Sequence, residues 1–198
     1  KALSYVRPEP ALRLAALLHD VGKPVCFSLD QQGAGHFYGH EQESARQSEA
    51  VAARLRLDNR TRERVIALVA RHGLIFDPTP KLVRRWLQRL GPTFFFDLLE
   101  LERADGRACT PRPAPGPDRC TQAERLARDI LAQKPCLTLK ELAVNGRDAL
   151  AAGLSGPEVG RALRWLLAQV AEGDLPNDRA LLLPLLPEAE SHFTEEQW

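Results

Sequence analysis

The 198-residue chain contains no methionine, not even an initiator, and begins at Lys1, so it is expected to be a piece of a longer protein. No uninterrupted apolar run reaches the ~20 residues that a membrane helix needs, and no charged start precedes an apolar core. Those absences exclude a membrane-spanning helix and a secretory signal within this sequence and lead to a cytoplasmic expectation. The four cysteines, Cys26, Cys109, Cys120 and Cys136, lack the C-x-x-C spacing and neighbouring histidines of a zinc finger. Free thiols in a reducing compartment are expected; the alternative is a Cys109–Cys120 bridge across a Pro-rich loop.

What is present is an ordinary globular composition, 44% hydrophobic and 27% charged. The length suits one large domain, or a domain of about 110 residues with a smaller appendage. The net charge is only +1, but it is unevenly spread. Residues 54 to 89 hold ten basic side chains (Arg54, Arg56, Arg60, Arg62, Arg64, Arg71, Lys81, Arg84, Arg85, Arg89) and three acids (Asp58, Glu63, Asp77), a local net of +7. Such a patch either meets nucleic-acid phosphates or is a solvated helix face.

Apolar periodicity and capping residues predict an all-α protein. Helices are expected at about 10–20, 41–55, 60–72, 80–90, 93–107, 122–133, 157–172 and 178–186, with one or two short ones between 138 and 152. Thr79-Pro80 reads as an N-cap followed by an N1 proline; Thr121-x-x-Glu124, Thr138-x-x-Glu141 and Ser155-x-x-Glu158 read as capping boxes. The segment 25–38, VCFSLDQQGAGHFY, reads as a loop or small hairpin around Asp30-Gln31-Gln32-Gly33. The prolines of ACTPRPAPGPDRC end helical structure and place a linker at 108–120. The expected layout is therefore a first domain over 1–107, the linker, a smaller helical tail domain over 121–187 and a flexible terminus over 188–198.

Three of the predicted helices end an apolar stripe on a metal-competent side chain. Leu12, Ala15 and Ala16 lead to His19, Val65, Leu68 and Val69 to His72, and Leu98 and Leu101 to Asp105. Asp20 follows His19 directly, and His40 opens a further helix. A buried polar group without a partner costs a few kcal/mol, so the repeated pattern calls for something that satisfies all of them. Histidine nitrogen with carboxylate oxygen and no thiolate suits a divalent ion such as Mn, Fe, Co, Ni, Zn or Mg. His19, Asp20, His40, His72 and Asp105 are the metal candidates, with Asp20 able to bridge two ions; Asp20 and Lys23 of H-D-V-G-K are the catalytic candidates. A bound ion would activate water and neutralise a phosphoryl oxygen, which is the chemistry of phosphoester hydrolysis. Gly22 reads as a C-cap turn that lets Lys23 reach a phosphate, or leaves it a surface lysine at a helix end. His36, in G-x-G-H-F-Y-G-H, and Arg71, Arg60, Arg64 and Arg85 are weaker candidates for substrate or RNA contact. Without a metal, Asp105 would have to satisfy His19 and His72 by hydrogen bonds.

The pattern from Leu12 to Asp105 resembles the HD superfamily of metal-dependent phosphohydrolases, H…HD…D, with His40 and His72 matching the extra histidines of binuclear members. AALLHDVGKPVCF…GAGHFYGHEQESA is similar to the HD domain within bacterial CCA-adding tRNA nucleotidyltransferases, and LTLKELAVNGRDALAAGLSGPEVGRALRWLLAQVAEGDLPNDRALLL to their C-terminal tail. The resemblance implies an HD-domain helical bundle followed by a tRNA-contacting tail, in which Arg147, Arg161, Arg164 and the Ser155-Gly156-Pro157 helix start would meet phosphates. The head motifs G-S and D-x-D are absent, so nucleotide addition by this chain alone is not expected. No histidine precedes His19, so the first HD-pattern histidine is expected just upstream of KALSYV. The leading expectation is a metal-dependent phosphohydrolase or phosphodiesterase acting on nucleotide or RNA-end phosphoesters in tRNA 3′-end processing. The alternative is the tRNA-binding half of a CCA-adding enzyme with the HD fold mainly structural.

Overall fold

The computed structural model describes residues 1–73, 77–109, 118–189 and 191–192, without the side chain of Cys109. Among the described residues it is mostly helical, with one two-stranded hairpin. The chain divides into two units, and the division does not follow chain order: Lys1–Asp77 joins Phe96–Thr121, while Pro78–Phe95 joins Gln122–Trp198. Residues 80–90, which the sequence places in a first domain, thus belong with the second unit. The reason is local: that helix packs on the helix of residues 157–172. Residues 110–117 of the expected linker, and 190 and 193–198 of the expected flexible terminus, lie outside the described residues.

The first unit is built on α1 (Pro10–Leu18), α2 (Lys23–Cys26), the strands β1 (Ser28–Leu29) and β2 (Gly35–His36), α3 (His40–Arg54) and α4 (Asn59–Arg71). Pro10 starts α1, and the Glu9 carboxylate accepts from the amides of Ala11 and Leu12, filling donors that no helical carbonyl can reach. Asp58 does the same for α4 through Thr61. Helix α4 packs on α1 and α3, and α2 packs on α3. Leu12, Val65, Leu68 and Val69 are fully buried, and the Phe96–Thr121 stretch contributes the equally buried Leu101. Burying each such side chain stabilises by about 1.5–3 kcal/mol. Asp97, 1% exposed, is held by the guanidinium groups of both Arg7 and Arg64, while Arg7 also pairs with Glu100.

The second unit contains α5 (Pro80–Leu90), part of α6 (Pro92–Cys109), α7 (Arg119–Ala132), α8 (Gly146–Ala151), α9 (Pro157–Glu172), α10 (Arg179–Leu182) and α11 (Leu186–Ala189). Thr79 caps α5 as its sequence indicates, accepting from the Leu82 amide. The other three capping expectations fail in instructive ways. Helix α7 begins two residues before Thr121, whose hydroxyl donates to Asp118. Glu141 accepts from Leu137 and Thr138, yet turns and bends follow where a helix was expected. At α9 the N-cap is Gly156, and Ser155 is held one position outside by Glu158. A capping box does exist where none was foreseen, at Asn145 and Asp148 of α8. Pro184 and Pro187 break the expected 178–186 helix into α10, a 3₁₀ turn and α11. Leu166, Leu182, Leu186 and Val144 form the centre of this unit's core.

Among the described residues no helix is long and apolar enough to cross a membrane. Cys26 and Cys136 are free thiols, while the Cys109 side chain, and with it the alternative Cys109–Cys120 bridge, lies outside the described residues.

Candidate metal centre

The stripes foreseen in the sequence converge. Helix α1 delivers His19 just past its last turn, α4 delivers His72 at its C-terminal cap, and both side chains are buried, 6% and 5% exposed. His40 is the first residue of α3, and Asp105 lies on α6. Asp20 stands between two groups of ligand atoms, Asp20–His40–His72 on one side and His19–Asp20–Asp105 on the other.

Each of the three histidines is oriented by the same device. The Nδ1 atoms of His19, His40 and His72 donate to the backbone carbonyls of Ala16, Phe37 and Val69, three residues earlier, at 3.1, 2.8 and 2.6 Å. A carbonyl only accepts, so Nδ1 carries the proton and, in a neutral ring, Nε2 presents a lone pair to the centre. Metal-binding histidines are held in this way, with the second nitrogen fixing tautomer and ring orientation.

The inward atoms then face one another. His40 Nε2 and His72 Nε2 are 3.2 Å apart, and Asp20 Oδ1 lies 3.5 and 3.6 Å from them. Asp20 Oδ1 is shut off from solvent with no hydrogen-bond partner. A buried carboxylate oxygen in that state carries a large desolvation cost. Two ligands each about 2.1 Å from a tetrahedral ion lie about 3.4 Å apart, so these separations suit shared ligation. The residues present therefore fit a divalent cation. On the other side, His19 Nε2 lies 3.2 Å from Asp105 Oδ1 and 3.3 Å from Asp20 Oδ2, and Lys23 Nζ donates to Asp20 Oδ2 at 2.7 Å.

The electrostatics agree. Burial pushes the His19 imidazolium toward neutrality, but the carboxylates of Asp105 and Asp20 outweigh it and lift its pKa from 6.5 to about 9. Burial likewise opposes ionisation of Asp20, and the imidazoles of His19 and His72 with the Lys23 ammonium overcome it, holding the carboxyl well below the usual range. The two carboxylates, Asp20 and Asp105, are thus balanced by the His19 imidazolium and the Lys23 ammonium.

Gly22 has a different role from the C-cap expected of it. Its φ of −80° is open to any residue, and it caps the start of α2. What it supplies is room: a Cβ there would lie 2.6 Å from Ser44 N and 2.8 Å from His40 O. The Gly22 amide donates to Ser44 Oγ at 2.9 Å, which pins α3 against the turn after Asp20 and sets His40 beside it. The sequence shows a glycine after H-D-V but gives no sign of which helix will approach it.

The weaker candidates separate. His36 is bound to Asp30, 2.8 Å from Nε2 to Oδ2, and belongs to neither ligand group. Arg71 is exposed and donates to the Ala67 carbonyl. Arg60 is exposed on the first turn of α4. Arg64 and Arg85 depart from the role of free phosphate contacts: Arg64 pairs with the buried Asp97, and Arg85 makes a two-pronged pair with Glu172 at 2.6 and 2.8 Å. Lys81 pairs with Asp174 and Glu172 as well, so part of the +7 stripe is neutralised by acids distant in sequence. Sequence reading missed Glu41, whose Oε1 lies 3.5 Å from His40 Nδ1.

The family model described as tRNA nucleotidyltransferase domain 2 matches residues 40–186. The chain belongs to the tRNA nucleotidyltransferase family. Over 174 residues it is 36% identical to the CC-adding tRNA nucleotidyltransferase of Thermus thermophilus, covering 86% of this chain and 39% of that one. Over 173 residues it is 32% identical to the A-adding tRNA nucleotidyltransferase of Deinococcus radiodurans, covering 83% and 38%. A multifunctional CCA protein of Polaromonas naphthalenivorans is 31% identical over 161 residues, 75% of this chain and 34% of that protein. The chain thus spans about two fifths or less of the length of these relatives. No solved structure matches it.

Proposed function

We propose that this chain is the tRNA-holding part of a tRNA nucleotidyltransferase, outside the head that adds nucleotides, with an HD-type helical bundle as its first unit. The observation that carries this is the family match across residues 40–186 in a sequence that holds neither the G-S nor the D-x-D head motif. Its role lies in tRNA 3′-end processing, and its partner is tRNA. This order reverses the leading expectation from sequence, because the named relatives are nucleotidyltransferases and support the transferase context over a free-standing hydrolase. The exposed Arg60 on α4 is a phosphate contact in this reading. Fluorescence anisotropy of labelled tRNA against the 198-residue chain tests it. Affinity should fall steeply and log-linearly with salt and weaken in Arg60→Glu. No binding at low salt, or binding indifferent to salt, would overturn it.

A second reading is favoured by the orphaned Asp20 Oδ1 among inward-facing imidazoles. His19, Asp20, His40, His72 and Asp105 would hold one or two divalent ions, with Asp20 shared. Such an ion supplies an activated water and neutralises a phosphoryl oxygen. Asp20 would then position the centre, and Lys23, bonded to it, would meet an incoming phosphate. Hydrolysis of bis(p-nitrophenyl) phosphate across a panel of Mn, Co, Ni, Zn and Mg tests this reading. Turnover with at least one ion, abolished in a folded Asp20→Asn variant, is expected; none with any ion leaves the cluster without a hydrolytic role.

A further inference from the structure

The hairpin between α2 and α3 exposes its apolar side chains to an unusual degree. Tyr38 is 76% and Phe27 54% exposed, Leu29 and Phe37 are exposed as well, and so is Val25 at the end of α2 just before them. Single exposed apolar residues need no explanation, but a contiguous group does. These rings are also held in place. A Cβ on Gly35 would come within 2.8 Å of Phe27 Cε2, so the ring lies directly against bare backbone. Phe37 meets Phe27 with ring centres 5.5 Å apart. His36 stacks on Tyr38, 5.0 Å between centres and 11° between planes, and Asp30 fixes His36 while accepting from the Gln32 and Ala34 amides.

The platform is tied to the histidine centre. The Phe37 carbonyl accepts from His40, and Lys23 Nζ lies 5.8 Å from the centre of the Phe37 ring while bonded to Asp20. Aromatic faces beside a cation are what an unpaired nucleotide uses, base on ring and phosphate on ammonium. A lipid surface fits poorly, because the hairpin tip is the polar Asp30-Gln31-Gln32-Gly33 and residues 25–38 contain no lysine or arginine.

We propose that the 27–38 hairpin is a stacking platform for unpaired bases at an RNA 3′ end, with Phe27 and Tyr38 as base contacts and Lys23 meeting the adjoining phosphate. The proposal rests on the tRNA reading above for the source of that strand. It is tested with two fluorescein-labelled RNAs, a single-stranded octamer and a blunt duplex of the same sequence, titrated against the wild-type chain and the Tyr38→Ala, Phe27→Ala and Tyr38→Trp variants.

The single strand should bind about tenfold more weakly to Tyr38→Ala and to Phe27→Ala, with Tyr38→Trp close to wild type and the duplex unaffected. Equal single-strand affinity in wild type and both alanine variants overturns the platform, whether or not tRNA itself binds. Tyr38-dependent binding of the octamer by a chain that shows no affinity for tRNA supports the platform while overturning the tRNA reading. A concentration-dependent dimer seen by sedimentation, and lost in Tyr38→Ala, assigns the face to a second copy of the chain and overturns it too.

Discussion

His40 Nε2 and His72 Nε2 confront each other at 3.2 Å, each with its Nδ1 proton already given to a backbone carbonyl. Two neutral rings in that state set lone pair against lone pair, which repels unless a proton or a metal ion lies between them. An ion held between the two rings would relieve that repulsion, so the pair is best satisfied with metal bound.

The metal-free chain should lose stability as pH rises. His19 titrates near 9 when folded and near 6.5 when not, so the folded state holds its proton more tightly. That contribution is full below about pH 6.5, declines above it and is gone once pH has passed about 9. Chemical melts of EDTA-treated protein at a series of pH values should show a falling midpoint across this window. His19→Gln should flatten that limb; an unchanged limb would show that other groups govern it.

Below that window Asp20 acts with the opposite sign. Its folded pKa is depressed, so its contribution is present above about pH 4 and is lost only as pH falls further. Asp20→Asn should lower stability at neutral pH and narrow its gap from wild type in acid. A gap that stays constant through acid titration would contradict this.

Gly22→Ala should damage fold and centre together. The added methyl meets the Ser44 amide and the His40 carbonyl, both backbone atoms that cannot swing aside. A cost of about 1–3 kcal/mol in urea unfolding is expected. Displacing His40 should also weaken cobalt binding roughly 10–100-fold, as loss of a supporting contact does elsewhere. Unaltered cobalt affinity would mean the α2–α3 contact does not set the ligand geometry.

Charge reversal in the basic stripe should separate two kinds of arginine. Arg64→Glu leaves the buried Asp97 facing a like charge, so destabilisation of about 3 kcal/mol or more is expected. Arg60→Glu, on an exposed position, should leave the unfolding midpoint within about 0.5 kcal/mol of wild type while lowering tRNA affinity. Equal effects of the two substitutions on stability would contradict the assignment.

The sequence carried more of the centre than of its surroundings. Stripe ends at His19, His72 and Asp105 were legible because a polar ligand at a core position breaks an otherwise apolar face. The Thr79 cap was legible because its partner lies three residues away. Relations between distant segments were not: Arg64 with Asp97, Arg85 with Glu172, and Gly22 against Ser44 depend on which helices meet, and no local pattern encodes that. The Thr138 box misled for the same reason, since a local motif formed its hydrogen bonds without a helix to follow. Assigning residues 80–90 to the first domain failed to anticipate that α5 finds its partner in α9.

Cobalt content after loading and desalting, read by elemental analysis together with the visible spectrum, bears most directly on the reading of Asp20 as the ligand shared by both halves of the centre. Wild type should retain one or two ions per chain, and folded Asp20→Asn should retain almost none. Wild-type protein that emerges metal-free under the same treatment, or an Asp20→Asn variant that binds as much cobalt as wild type, would contradict it.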